Sequence, residues 1–141
     1  DGNTDVWLTD IARSVSTRLT FDAAAEAAPV WSPDATRIVF GSTRGNAGYN
    51  LYQKLASGAG TEELLFESPL SKFPQDWSRD GRFLLFRSVD PQTQRDLWAL
   101  PLEGEPRPIA VAQTEFDERD GQFSPDGRWV AYASNASGRV R

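Results

Sequence analysis

The chain contains no cysteine, no histidine and no methionine. Without cysteine there are no disulfides, no thiolate metal sites and no thiol nucleophile, and the redox compartment is left open. Without histidine the usual general base, the commonest metal ligand and any Ser-His-Asp triad within these residues are excluded. Without methionine the sequence does not start at its own initiator, which implies excision from a longer protein or removal of the first Met. No apolar run approaches the roughly 20 residues of a membrane-spanning helix, and the start, Asp1-Gly2-Asn3-Thr4, has neither the basic nor the apolar part of a signal peptide. Positive charge is also scarce: 15 Lys and Arg stand against 20 Asp and Glu, scattered rather than striped, giving a net charge of −5. Nucleic-acid binding and docking to anionic lipid, which need clustered positive charge, are therefore disfavoured.

What is present suffices for a packed core. The 141 residues are 39% hydrophobic and include five Trp, eight Phe and three Tyr, too much apolar surface for a disordered segment. The decisive feature is an internal repeat. Trp31-Ser32-Pro33-Asp34-Ala35-Thr36-Arg37-Ile38-Val39-Phe40 aligns without gaps with Trp77-Ser78-Arg79-Asp80-Gly81-Arg82-Phe83-Leu84-Leu85-Phe86 and with Phe123-Ser124-Pro125-Asp126-Gly127-Arg128-Trp129-Val130-Ala131-Tyr132, at intervals of 46 residues. A second motif interleaves with it: Asp5-Val6-Trp7-Leu8, Asn50-Leu51-Tyr52-Gln53 and Asp96-Leu97-Trp98-Ala99. A weaker third element follows at 17–21, 62–67 and 107–112.

The Ser-Pro-Asp-Gly corner predicts a tight turn: Pro33 and Pro125 preset φ, Asp34, Asp80 and Asp126 bond the local backbone, and Gly81 and Gly127 take the left-handed conformation. Ala35 replaces that glycine in the first copy, so its turn is expected to be strained or altered. The apolar runs after each corner read as strands covered on both faces. Four short strands in about 46 residues describe a propeller blade. The expected fold is thus an all-β propeller of four-stranded antiparallel blades, one domain over 1–141. Residues 1–21 form a trailing half-blade, 22–67 and 68–113 whole blades, and 114–141 a leading half-blade. Trp31, Trp77 and Phe123 are expected as aromatic wedges between blades. Three blades are fewer than the four to eight of closed propellers, so closure is expected either from a homodimer with six blades in all or from further blades in a longer parent chain.

The Trp31-Ser32-Pro33-Asp34 and Phe123-Ser124-Pro125-Asp126-Gly127-Arg128 corners resemble the WD40-like, or PD40, repeat of TolB-type propellers over nearly the whole chain. Lys72-Phe73-Pro74-Gln75-Asp76-Trp77-Ser78, Asp96-Leu97-Trp98-Ala99-Leu100-Pro101-Leu102 and the 121–132 segment look like the propeller region that follows the kinase domain of bacterial Ser/Thr kinases. True WD40 repeats match less well, because their histidine-centred hydrogen bonds have no counterpart here. The resemblance implies a non-catalytic protein-binding or scaffold module, without cofactor, often outside the cytoplasm, with six blades common. It also leaves open a sensor or spacer region of a kinase, or the propeller of a prolyl-oligopeptidase-type hydrolase without its catalytic domain.

Candidate binding residues are few. Val30, Asp76 and Gln122 precede the wedges on the innermost strands and are expected to face the central channel; Asp76, Gln122 and Asp120 are the candidates to hold an ion, small ligand or peptide there. Glu115, Asp117, Glu118 and Asp120 form an acidic cluster whose spacing does not match a calcium-binding loop, so it reads as a solvated segment. Glu62 and Glu63 would point to opposite faces of a strand. The glycine-rich segments 45–48 and 57–60 lack a following helix start and read as hairpin loops. Asn135-Ala136-Ser137 matches a glycosylation acceptor, relevant only in a eukaryotic secretory setting.

Overall fold

The computed structural model describes residues 4–45, 48–92, 94–113 and 116–135. It is built from twelve strands, β1 (Trp7–Asp10), β2 (Val15–Arg18), β3 (Glu26–Trp31), β4 (Arg37–Ser42), β5 (Asn50–Leu55), β6 (Glu63–Phe66), β7 (Ser71–Trp77), β8 (Phe83–Asp90), β9 (Gln94–Pro101), β10 (Ile109–Ala112), β11 (Glu118–Phe123) and β12 (Val130–Ser134). They form two four-stranded sheets, β3-β4-β5-β6 and β7-β8-β9-β10, flanked by two two-stranded sheets, β1-β2 and β11-β12. All neighbours are antiparallel and consecutive in sequence. This is the all-β architecture of four-stranded blades that the 46-residue period predicts, and the sheets do not close into a ring.

Each corner folds for the same local reason. In the first, the Ser32 hydroxyl donates to Asp34 Oδ1 at 2.7 Å and accepts from the Arg37 amide at 2.9 Å, while the Thr36 amide donates to Asp34 Oδ1 at 3.0 Å. Ser78 with Asp80 and Ser124 with Asp126 repeat the arrangement, with hydroxyl-to-carboxylate distances of 2.7 and 2.6 Å. Ala35 has φ +63°, the same left-handed conformation as Gly81 at +78° and Gly127 at +75°. The first corner therefore keeps its geometry by forcing an alanine into a region that costs L-residues about 1 kcal/mol or more.

The first strands β3, β7 and β11 lie side by side, and each carries one extra residue against its partner, at Ala27/Val30, Pro74/Asp76 and Arg119/Gln122. Ala28 and Asp120 take positive φ in these bulges, whereas the equivalent position is Pro74, which cannot. The core lies between blades. Val39 and Leu51 of one blade pack with Leu84, Phe86 and Leu100 of the next, and Trp77 joins them. A second cluster places Ile38 and Phe40 against Val6 and Leu19, which flank the β1-β2 hairpin. As expected, β4 and β8 are covered on both faces. β12 is not: Ala131 to Ser134 are exposed, because no further strand or blade lies against this sheet among the described residues.

Candidate functional site

The junction between the β7-to-β10 blade and the β11-β12 sheet opens as a cleft of about 400 Å³, lined among others by Asp76, Trp77, Arg79, Gln122, Phe123 and Trp129. The inner strands place both Asp76 and Gln122 here, and Gln122 is exposed. Asp76 is committed to structure: its Oδ2 accepts the Phe123 amide at 2.7 Å. Beside it, Gln75 Oε1 accepts the Gly121 amide at 2.8 Å. Two consecutive side chains of one inner strand thus satisfy backbone donors of the next, which fixes the offset between adjacent blades. In the preceding blade the same positions are Pro29 and Val30, neither of which can accept such a bond.

Trp77 lines the cleft, packs against the core between the two whole blades, and donates its indole N–H to Gly81 O at 3.2 Å. Phe123 is half-buried, whereas Trp31 is 51% exposed although it occupies the same repeat position. Trp129 is 69% exposed. The cleft is therefore an aromatic surface with one cation, Arg79, and polar groups mostly occupied by the fold.

Asp120 is exposed and sits in the β11 bulge with φ +57°. Its acidic neighbours diverge. Asp117 accepts from the Arg95 side chain at 2.7 Å and from the Arg95 amide at 3.2 Å, and Glu118 is buried and accepts the Ser134 hydroxyl at 2.9 Å. Glu115 lies outside the described residues. No group of three Asp or Glu residues is positioned to hold a metal ion among the described residues. Glu62 lies just before β6 and half-buried, while Glu63 is exposed. Part of the 45–48 segment and of the Asn135 motif lies outside the described residues.

The sequence reading missed a recurring buried charge. Glu26, Lys72 and Glu118 occupy one position in three successive inner strands, and none is more than 2% exposed. Glu26 accepts the Ser42 hydroxyl at 2.5 Å and lies 3.3 Å from Arg44 Nη2; Glu118 repeats the serine bond with Ser134. Lys72 instead donates to Ser68 O, Ser68 Oγ and Leu70 O, and burial pushes its ammonium down to about 8. Around the first of these, Arg44 reaches Glu62 at 2.8 Å, and Lys54 reaches Glu62 at 3.1 Å and Leu19 O at 2.9 Å. Burial alone would raise the Glu62 carboxyl, but Arg44 and Lys54 hold it below its ordinary value. The signal was available in the 46-residue spacing, yet charged residues inside a strand read as solvent-facing until the neighbouring blade covers them.

No family model matches the chain. Over 96% of its length it is 29% identical to Tricorn protease homolog 1 of Streptomyces coelicolor, of which it spans 14%. Among solved structures it superposes on TolB from Acinetobacter baumannii with a TM-score of 0.76 at 20% identity, covering 96% of this chain and 33% of that one. It superposes on a putative TolB from Agrobacterium tumefaciens with a TM-score of 0.70 at 23% identity, covering 92% of this chain and 50% of the other. The fold is that of the TolB-type propeller, and the chain spans half or less of each relative.

Proposed function

We propose that this chain is a non-catalytic protein-binding module, with the aromatic cleft between the second whole blade and the β11-β12 sheet as its binding surface. The observation that carries this reading is the combination of exposed Trp129 and Arg79 with half-buried Phe123 around a cleft whose carboxylate, Asp76, is already bonded to a backbone amide. Aromatic residues and arginine dominate the anchoring positions of protein interfaces. A carboxylate holding a blade in register is poorly placed to act as an acid or base. The test is selection of peptides by display against the purified chain, followed by calorimetry. Selected peptides bind, and Trp129→Ala weakens them about tenfold or more, while substrates of peptidases, esterases and glycosidases are not turned over. Turnover lost on Asp76→Ala or Asp120→Ala overturns the reading.

The 29% identity to a protein called a protease homolog favours a second reading, a propeller segment of a larger peptidase. Under it the chain still binds without cleaving, and the selected peptides share residues with the sequences that the larger protein cuts.

A further inference from the structure

The two whole blades leave a pocket between them. It measures about 270 Å³, with walls of Phe66, Leu70, Phe86, Trp98 and Pro108, and Ser68 and Ser88 are its polar residues. Phe66 and Phe86 meet across the blade boundary with ring centroids 5.8 Å apart, and Trp98 donates its indole N–H to Ser88 Oγ at 3.0 Å. Every wall belongs to one of the two complete four-stranded sheets or to a segment joining their strands.

The repeat shows what occupies this place one blade earlier. One 46-residue period before Ser68, Ser88, Trp98 and Pro108 stand Asp22, Ser42, Tyr52 and Glu62. All of them are engaged by a single side chain, Arg44. Its guanidinium lies 5.0 Å from the Tyr52 ring centroid, donates to Ser42 Oγ at 3.0 Å and to Glu62 Oε1 at 2.8 Å, and lies 3.8 Å from Asp22 Oδ2. A planar group set against the aromatic ring thus fills that junction. In the second junction the residue at this repeat position is Asp90, which accepts the Gln92 amide at 2.7 Å within its own turn, and the space beside Trp98 stays open.

The carboxylates that hold Arg44 are replaced as well. Asp22, Glu26 and Glu62 become Ser68, Lys72 and Pro108, and the Lys72 ammonium donates to Ser68 O, Ser68 Oγ and Leu70 O in the pocket's own wall. A cationic guest would meet an ammonium instead of a counter-charge. An anionic guest would lose its hydration against apolar walls, with the Lys72 donors already taken. An uncharged aromatic ring suits both the walls and Trp98. One polar demand remains. Ser42 gives its hydroxyl proton to Glu26, whereas the counterpart of Glu26 beside Ser88 is Lys72, which accepts nothing. The Ser88 proton is therefore available to an acceptor on the guest. An apolar cavity of about 150 Å³ takes a single benzene ring, so this pocket has room for roughly two fused rings. Tryptophan is the protein side chain with two fused rings, and its indole offers a donor and no acceptor, which favours a free small molecule.

We infer that the pocket between the whole blades binds an uncharged two-ring heteroaromatic molecule, set against Trp98 as Arg44 is against Tyr52 and accepting a hydrogen bond from Ser88 through a ring nitrogen or carbonyl. The site is separate from the cleft at Trp129 and does not rest on the role proposed for that cleft.

The test titrates the intact chain with quinoline, which is uncharged at neutral pH, and with N-methylquinolinium, which has the same shape but a positive charge and no acceptor. Binding is followed by the amide and indole signals in nuclear magnetic resonance. Quinoline is expected to saturate with a dissociation constant on the order of 0.1–1 mM, moving the Trp98 indole and Ser88 amide signals. N-methylquinolinium is expected to bind about tenfold more weakly or worse. Equal or tighter binding of N-methylquinolinium, no saturation by quinoline up to about 10 mM, or shifts centred on Trp129 rather than Trp98 overturn the inference. Tighter binding of N-acetyltryptophanamide than of quinoline also overturns it, by assigning the pocket to a protein side chain.

Discussion

At the scale of single residues, the three corners differ in whether an alanine or a glycine holds the left-handed position, and should differ in strain. Ala35 holds the φ that Gly81 and Gly127 adopt freely, so Ala35→Gly should stabilise the chain by up to about 1 kcal/mol, read as a higher urea midpoint at unchanged slope. The corner aspartates also carry a pH dependence. The Thr36 and Ser32 hydroxyls and the Thr36 amide hold the Asp34 carboxyl at about 2. The Arg82 amide and the Ser78 hydroxyl lower Asp80, and the Ser124 hydroxyl and the Arg128 amide lower Asp126. A carboxyl lowered in the folded state contributes stability above its unfolded value, lost as pH falls through the folded one. Stability should therefore fall between about pH 4 and pH 2, and the Asp34 resonance should titrate near 2. The aspartate and glycine of this corner were legible from the sequence. The serine's bridging role was not, because hydrogen bonding by a hydroxyl depends on the turn that orients it.

At the scale of elements, the inner strands carry the features that sequence reading captured least. Their bulges let Gln75 and Asp76 reach the next strand's amides and bring Gly121 against the blade behind it. A Cβ on Gly121 would sit 2.6 Å from Leu85 Cδ2 and 3.3 Å from Leu97 Cδ1. Gly121→Ala should thus cost about 1–3 kcal/mol, measurable by denaturant unfolding, because both leucines are packed and must shift. Lys72 gives the second element-scale prediction. Its folded-state value, about 8 against an ordinary 10.5, means that the unfolded chain binds the proton more tightly. Stability should rise as pH increases from about 8 towards 10.5, and Lys72→Met should remove that rise. The alternation of a strand announces which side chains share a face. It does not say that both faces of β7 are covered, which is what turns a lysine at this position into a buried one.

At the scale of the whole molecule, stability is shared between neighbouring sheets, since the two core clusters each span a blade boundary. Sheets at the ends of such an array have one covered face and lose part of their burial, as exposed Tyr132, Trp7 and Trp31 record.

The sequence by itself determined the blade. A 46-residue period, turn residues that admit one local geometry, and apolar runs of strand length each restrict the chain through short-range sterics and hydrogen bonding, so the number, order and pairing of strands could be read directly. The tertiary structure decided what those strands mean to one another. Whether Trp77 is a covered wedge and Trp31 an exposed one, or whether Asp76 is a free ligand or a backbone acceptor, depends on the blade placed beside it. Burial and electrostatic environment are set by neighbours distant in sequence, and the repeat assigns equivalent residues the same address without giving them the same surroundings.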